Sequence, residues 1–285
     1  MKLSIPNLYP VLLTGYLIFT ASIWAAPHPE LAKERYVQIR NMRRSSSAIS
    51  AVGPKPPLDI HESPFSGVSY SSNWCGAVIT SPPTGENFTE VSGNWALPTL
   101  SVPTDASSSS EYWYNSEWVG IDGDTYQNAI LQAGTLSYID STTLEQGVYA
   151  WYEWYPNSLI YFDDLSVSVG DTVAVSVLAT STTSGTVVIE NETTGTTTTT
   201  TVSAPTATAS LAGENAEWIV EDVSSGTLVP FANFTTVYIN DCETTTDEGS
   251  SLDLSDADLF YIEQNSEVLA TAVIISDTEL EVYYG

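Results

Sequence analysis

The sequence predicts an all-β protein, on three observations. Short runs rich in Val, Ile, Thr and aromatic residues alternate apolar and polar positions, clusters of Gly, Asn, Asp and Ser separate them, and no stretch carries an apolar face at the helical period. The strongest runs span residues 91–96, 171–179, 186–190, 217–223, 235–239 and 269–275. Residues 193–201 are threonine apart from Gly195, which supplies a turn, so a β-hairpin is expected there, with an O-glycosylated loop as the alternative. Residues 66–285 are of a length that one β-sandwich domain fills without an internal boundary.

The N-terminal part is of another kind. Lys2, an apolar run over residues 11–23, and the small residues Ala25 and Ala26 read as a secretory signal peptide over residues 1–25, so the protein is expected outside the cell. No later apolar run is long enough to span a bilayer. Residues 26–65 read as a basic propeptide ending in a linker: Arg43-Arg44 is a dibasic processing site, and Pro54, Pro56, Pro57 and Pro64 extend the chain. The mature N-terminus is expected between Arg44 and Ser71.

Charge divides the chain at the same place. Every basic residue (Lys2, Lys33, Arg35, Arg40, Arg43, Arg44, Lys55) and both histidines (His28, His61) precede residue 62, whereas all acidic residues except Glu30, Glu34, Asp59 and Glu62 follow residue 65. A cationic prosegment attracts an acidic domain until its carboxylates are protonated, so acid is expected to release it. Crowded like charges raise carboxyl pKa values in the folded state, which predicts a domain most stable in acid. Nucleic acid and anionic membranes are excluded as partners by repulsion, and a monomer is expected.

Only Cys75 and Cys242 are present, too few for a disulfide framework or a thiolate metal site; they can form one bridge or stay reduced. Asn87, Asn191 and Asn233 each begin an N-x-Thr sequon, which predicts glycans on exposed loops.

The missing residues restrict the chemistry further. Without His or Lys after residue 61 there is no Ser-His-Asp or Cys-His machinery, no imidazole zinc site and no Schiff base. Asp-Thr-Gly and Asp-Ser-Gly are also absent, which argues against the paired-aspartate proteases. Carboxyl catalysis remains, or no catalysis. Because residues two apart on a strand share a face, Trp118 is expected beside Asp122, and Trp151 and Glu153 beside Tyr149 and Tyr155. Glu217 and Glu221 then flank Ile219, opposite a core-facing Trp218 and Val220. Taken singly each carboxylate reads as a solvated surface group; together with the aromatics they suit a cleft for a polymer.

Five blocks, in order along nearly the whole mature chain, carry a resemblance. Ser72-Asn73-Trp74, residues 118–125 (WVGIDGDT), Ala129-Ile130-Leu131-Gln132, residues 150–156 (AWYEWYP) and Asn215-Ala216-Glu217 through Glu221-Asp222 resemble the fungal glutamic peptidases, or eqolisins. The resemblance implies a concanavalin A-like β-sandwich of two antiparallel sheets and a secreted acid endopeptidase made as a zymogen, with polypeptide substrates and neither cofactor nor metal. Gln132 and Glu221 match the catalytic dyad; Trp118, Asp122, Trp151 and Glu153 match residues that line or support it. In that chemistry a carboxyl of raised pKa acts on water as a base and on the leaving amine as an acid, and the Gln amide stabilises the oxyanion. Two positions depart from the pattern: Tyr149 stands where related sequences tend to carry Asp, and Cys75 where Gly is usual. The rival readings are a glycoside hydrolase using Glu153 and Glu221 as its carboxylate pair and a non-catalytic sugar-binding sandwich.

Overall fold

In the computed structural model, which describes residues 67–104, 110–224 and 228–285, the alternating runs form strands. The expected signal peptide and propeptide, residues 1–65, lie outside the described residues. The chain first forms β1 (Val68–Ser71), β2 (Trp74–Ile79), β3 (Phe88–Ala96), β4 (Leu100–Ser101), β5 (Tyr112–Ile121) and β6 (Ile130–Asp140). There follow β7 (Gln146–Tyr155), β8 (Ile160–Tyr161), β9 (Thr172–Ser181), β10 (Ser184–Asn191), β11 (Thr196–Ser203) and β12 (Ala216–Glu221). The last group is β13 (Asn233–Phe234), β14 (Val237–Thr246), β15 (Ser251–Leu252), β16 (Asp258–Gln264), β17 (Glu267–Ser276) and β18 (Glu279–Tyr284).

Hydrogen bonding joins these strands in the order β11-β10-β9-β3-β14-β18-β17-β16-β2-β12-β5-β6-β7-β8. The path folds back on itself, so that β3 and β9 lie over β5 and β6 as two layers. The corner is the β16–β17 hairpin: β16 pairs with β17 only over Ile262–Gln264 and with β2 over Asp258–Phe260, so its two ends serve different layers. The strand pairings are antiparallel except that β1 runs parallel to β16, Val68 beside Leu259. The fold is thus the expected antiparallel β-sandwich, with the two sheets continuous around one edge.

Period-two patterning explains the first layer. Val173, Val175 and Val177 of β9 and Val187 and Ile189 of β10 are buried in the core between the layers, with less buried residues at the positions between them. The expected hairpin is β10–β11, turning at Gly195 with φ of 69°. The second layer is buried on both faces. Cys75, Ala77, Val119, Leu131, Ala133, Trp218 and Val220 enter the core between the layers, while Trp74, Trp118, Leu136, Trp151 and Ile219 form a second apolar cluster on the outward face. Indole N–H groups tie the layers: Trp218 Nε1 donates to the Ser92 carbonyl at 2.7 Å, and Trp95 Nε1 donates to Thr135 Oγ1 at 3.0 Å. Thr135 in turn donates to the buried Glu117 Oε2 at 2.7 Å.

Several expectations change. β12 stops at Glu221 rather than 223, although the Asp222 N–H still donates to the Asn73 carbonyl in the register of β2. β14 begins two residues later than expected and runs on to Thr246 through a bulge at Asp241, whose φ of 51° interrupts the alternation. Cys75 and Cys242 are free thiols, both buried. Asn191 is not on an exposed loop: it is buried, with its Nδ2 donating to the Ser166 carbonyl and to Asp171 Oδ2. Asn87 is exposed, although its Nδ2 donates to Asp247.

Buried acids mark the second layer. Burial, and secondarily the charges of Asp122 and Asp124, push the Glu217 carboxyl well above its ordinary 4.5, against a smaller lowering by the Asp124 N–H. Burial likewise raises Asp222 well above 3.8, despite a hydrogen bond from Gln264. A raised folded-state pKa means that the native state binds protons more tightly than the unfolded chain. Their contribution is therefore complete below about pH 4 and is lost as pH climbs towards the folded values.

Two outcomes follow. Glu217→Gln should gain stability over the parent near pH 7 and little near pH 3, measured by thermal unfolding; an equal difference at both pH values would contradict the titration. Gly134 faces a different constraint, since a Cβ there would lie 2.0 Å from the Glu117 carbonyl oxygen. Gly134→Ala should cost about 2 to 3 kcal/mol in denaturant unfolding.

Candidate active site

The register of the second layer assembles the site row by row. Glu217 of β12, Gly120 of β5, Gln132 of β6 and Glu153 of β7 lie side by side. One step along come Ile219, Trp118, Gly134 and Trp151, and one step further Glu221, Ser116, Leu136 and Tyr149. Alternation places all three rows on the outward face, away from Trp218 and Val220 in the core. The two glycines let their neighbours pack closely in the middle. Gly120 has no side chain to separate Glu217 from Gln132, and a Cβ there would approach the Trp118 ring to 2.9 Å.

Hydrogen bonds then fix the polar groups. Gln132 Nε2 donates to Glu153 Oε2 at 2.9 Å, a bond between directly paired residues of neighbouring strands. Because a carboxylate oxygen accepts, this bond dictates which end of the Gln132 amide turns to Glu153. The opposite end, Oε1, is buried without a protein donor. Trp118 Nε1 donates to Glu221 Oε2 at 2.8 Å, and the Trp118 ring packs edge-to-face on Trp74 with centroids 5.1 Å apart. Gln132, Glu153, Glu217 and Glu221 are all buried, so the reading of each carboxylate as a solvated surface group does not hold.

Asp122 also departs from expectation. It lies just beyond β5 with a φ of 65°, so the strand parity that would set it beside Trp118 has ended. Its carboxylate instead accepts from the backbone N–H groups of Ala212 (2.7 Å), Gly213 (3.1 Å) and Glu214 (2.7 Å), anchoring the segment that leads into β12. Burial raises its pKa even so, with those N–H groups acting in the opposite direction. Asn215, quoted in the sequence block but given no task, is the reciprocal clamp. Its Oδ1 accepts from the N–H groups of Asp124, Thr125 and Tyr126, and its Nδ2 donates to Thr125 Oγ1 at 2.7 Å. Sequence reasoning also missed the position of Glu217 in the Gln132 row; its period-two spacing from Glu221 was the available signal.

The arrangement therefore holds, among residues with no fixed positive charge, an amide with one N–H and its carbonyl oxygen uncommitted to Glu153, and a carboxyl oriented by an indole. Such a pair can polarise a carbonyl and exchange a proton with water. No helix of the described residues is long and apolar enough to cross a membrane.

Known proteins resemble this chain in sequence and fold. Residues 72–284 match the peptidase A4 family. Aspergillopepsin-2 of Aspergillus niger is 38% identical over 96% of this chain and 99% of its own, and scytalidopepsin B of Scytalidium lignicola is 37% identical over 75% and 78%. A crystal structure of scytalido-glutamic peptidase with a transition state analog inhibitor superposes with a TM-score of 0.64 at 34% identity, covering 75% of this chain and 98% of that one. The crystal structure of aspergilloglutamic peptidase from Aspergillus niger gives 0.56 at 42% identity, over 61% and 99%. With a family match over residues 72–284, nearly all of the sandwich, and such relatives over most of its length, the chain belongs to the peptidase A4 family, the glutamic peptidases.

Proposed function

We propose that the protein is a secreted acid endopeptidase, made as a zymogen, in which Gln132 and Glu221 carry the reaction. Glu221 takes a proton from water as the water oxygen bonds to the peptide carbonyl carbon, and the uncommitted N–H of Gln132 donates to the developing oxyanion. Glu221 then returns its proton to the leaving nitrogen as the C–N bond breaks. Gln132 Oε1 accepts from the attacking water and so orients it.

The observation carrying this reading is the buried Gln132 amide, held at one end by Glu153 and without a protein donor at its other. A buried polar oxygen left in that state calls for a task, and water is a fitting partner. Trp118 orients the Glu221 carboxyl, Glu153 orients Gln132, Trp151 lines the row beside Gly134, and Asp122 supports the segment entering β12. The carboxylate-pair glycosidase gives Gln132 no role. Residues 1–25 act as signal peptide and residues 26–65 as the basic propeptide partner of the acidic domain at 66–285, which works as a monomer on polypeptide substrates.

Gln132→Ala and Glu221→Gln should each lower kcat on casein at acid pH by about 10² to 10³ with the unfolding transition retained. Trp118→Phe, which removes the indole donor and part of the buried ring, should cost at least about tenfold. Near-parental activity in either dyad variant would remove that residue from the mechanism. A separate peptide of residues 26–65 should bind the Glu221→Gln domain lacking its own prosegment near neutral pH and leave it as pH falls to about 3, seen by gel filtration; a complex that persists there would contradict charge-based release.

A further inference from the structure

The outward face continues beyond the Glu221 row into a group of tyrosines that the proposed chemistry does not use. Tyr112 and Tyr114 of β5, Tyr138 of β6, Tyr149 of β7 and Tyr161 of β8 meet there. Tyr138 and Tyr149 lie nearly parallel, with centroids 6.0 Å apart and planes at 17°. Tyr161 stands 5.1 Å from Tyr149, and Tyr112 meets Tyr138 edge-on at 5.9 Å. Gly147 makes this possible: it pairs with Tyr138, and a Cβ there would fall 2.5 Å from the Tyr138 ring. Tyr114, Tyr138 and Tyr161 are nearly buried and form a floor; Tyr112 and Tyr149 are half-buried and present ring surface.

This floor belongs to the same apolar cluster as Trp74, Trp118 and Trp151. Tyr149 shares the Glu221 row, one step from Trp151, and Tyr138 lies one step further. The patch therefore begins where the proposed dyad ends and extends over two register steps, roughly 13 Å of strand. Rings spaced 5 to 6 Å apart leave stacking and edge positions that one more ring can join.

We propose that these tyrosines form an aromatic subsite of the cleft, which takes a Phe, Tyr or Trp side chain of the polypeptide substrate about two to four residues from the scissile bond. The inference rests on the peptidase reading above. It predicts selectivity at a distance from the reacting carbonyl, set by ring stacking and expressed in KM.

The test uses full-length protein matured in acid and a set of peptides that differ at one remote position, carrying Phe, Leu, Lys or Ala. At one such position Phe should exceed Ala by about fivefold in kcat/KM, mostly through KM. Tyr149→Ala and Tyr112→Ala should bring that ratio close to one, and Tyr149→Phe should keep it. A ratio of one at every remote position in the parent, a ratio unchanged in Tyr149→Ala, or a preference for Lys over Phe would each overturn the subsite. Binding of the same peptides to Glu221→Gln freed of its prosegment by added parent enzyme, followed by calorimetry, separates the two claims. If no peptide is hydrolysed while Phe-dependent binding is lost in Tyr149→Ala, the peptidase reading fails and the aromatic site stands; if peptides are hydrolysed and binding ignores Phe, the reverse holds.

Discussion

A carboxyl group that no cation can neutralise governs this molecule. From residue 66 onward there is no Lys, Arg or His, yet Glu117, Asp122, Gln132, Glu153, Glu217, Glu221 and Asp222 are all buried in or beside one layer of the sandwich. Neutral donors meet most of the acids among them: a threonine hydroxyl for Glu117, an indole for Glu221, side-chain amides for Glu153 and Asp222, backbone N–H groups for Asp122. Neutral donors hold a carboxyl in place without forcing it to stay ionised, as a guanidinium would. The same choice suits a protein built for acid and a site whose proposed acid-base group must gain and lose a proton.

The sandwich supplies the rigidity that such groups need. Because the second layer is buried on both faces, its strands cannot shift register without dismantling either the core behind them or the aromatic cluster in front. Gln132 and Glu153 are directly paired, so their hydrogen bond is set by the ladder itself. Glu221 is held less directly, through Trp118, whose ring needs the space left by Gly120 and the support of Trp74. The loops contribute through Asp122 and Asn215, which lock the turn after β5 to the entry of β12.

The first layer was legible in the sequence because one face of it meets water, so β9 and β10 alternate. β2 and β6 do not alternate, since every residue of each is buried, and periodicity alone could not have found them. Parity correctly set Glu217 and Glu221 opposite Trp218 and failed at Asp122, where a positive φ ends the strand one residue too soon. The ordered motif blocks compensated for the missing alternation, as they lie mainly on that second layer. The tyrosine group was hidden for another reason: its members come from four strands between Tyr112 and Tyr161, and only the pairing register brings them together.

The corner at β16 and β17 has a consequence for how the protein survives its own working conditions. Two separate sheets would leave four open edges; among the described residues the long path folded at a corner ends at two strands, β11 and β8, with the short β4–β13 pair apart from it. The first begins with six consecutive threonines and the second is only two residues long. In acid the carboxylates that would otherwise keep molecules apart lose their charge, and colloidal repulsion weakens with them. Protection against strand recruitment and fibril growth then falls to shape, through short or hydroxyl-bearing edges that offer little apolar surface for another chain to join.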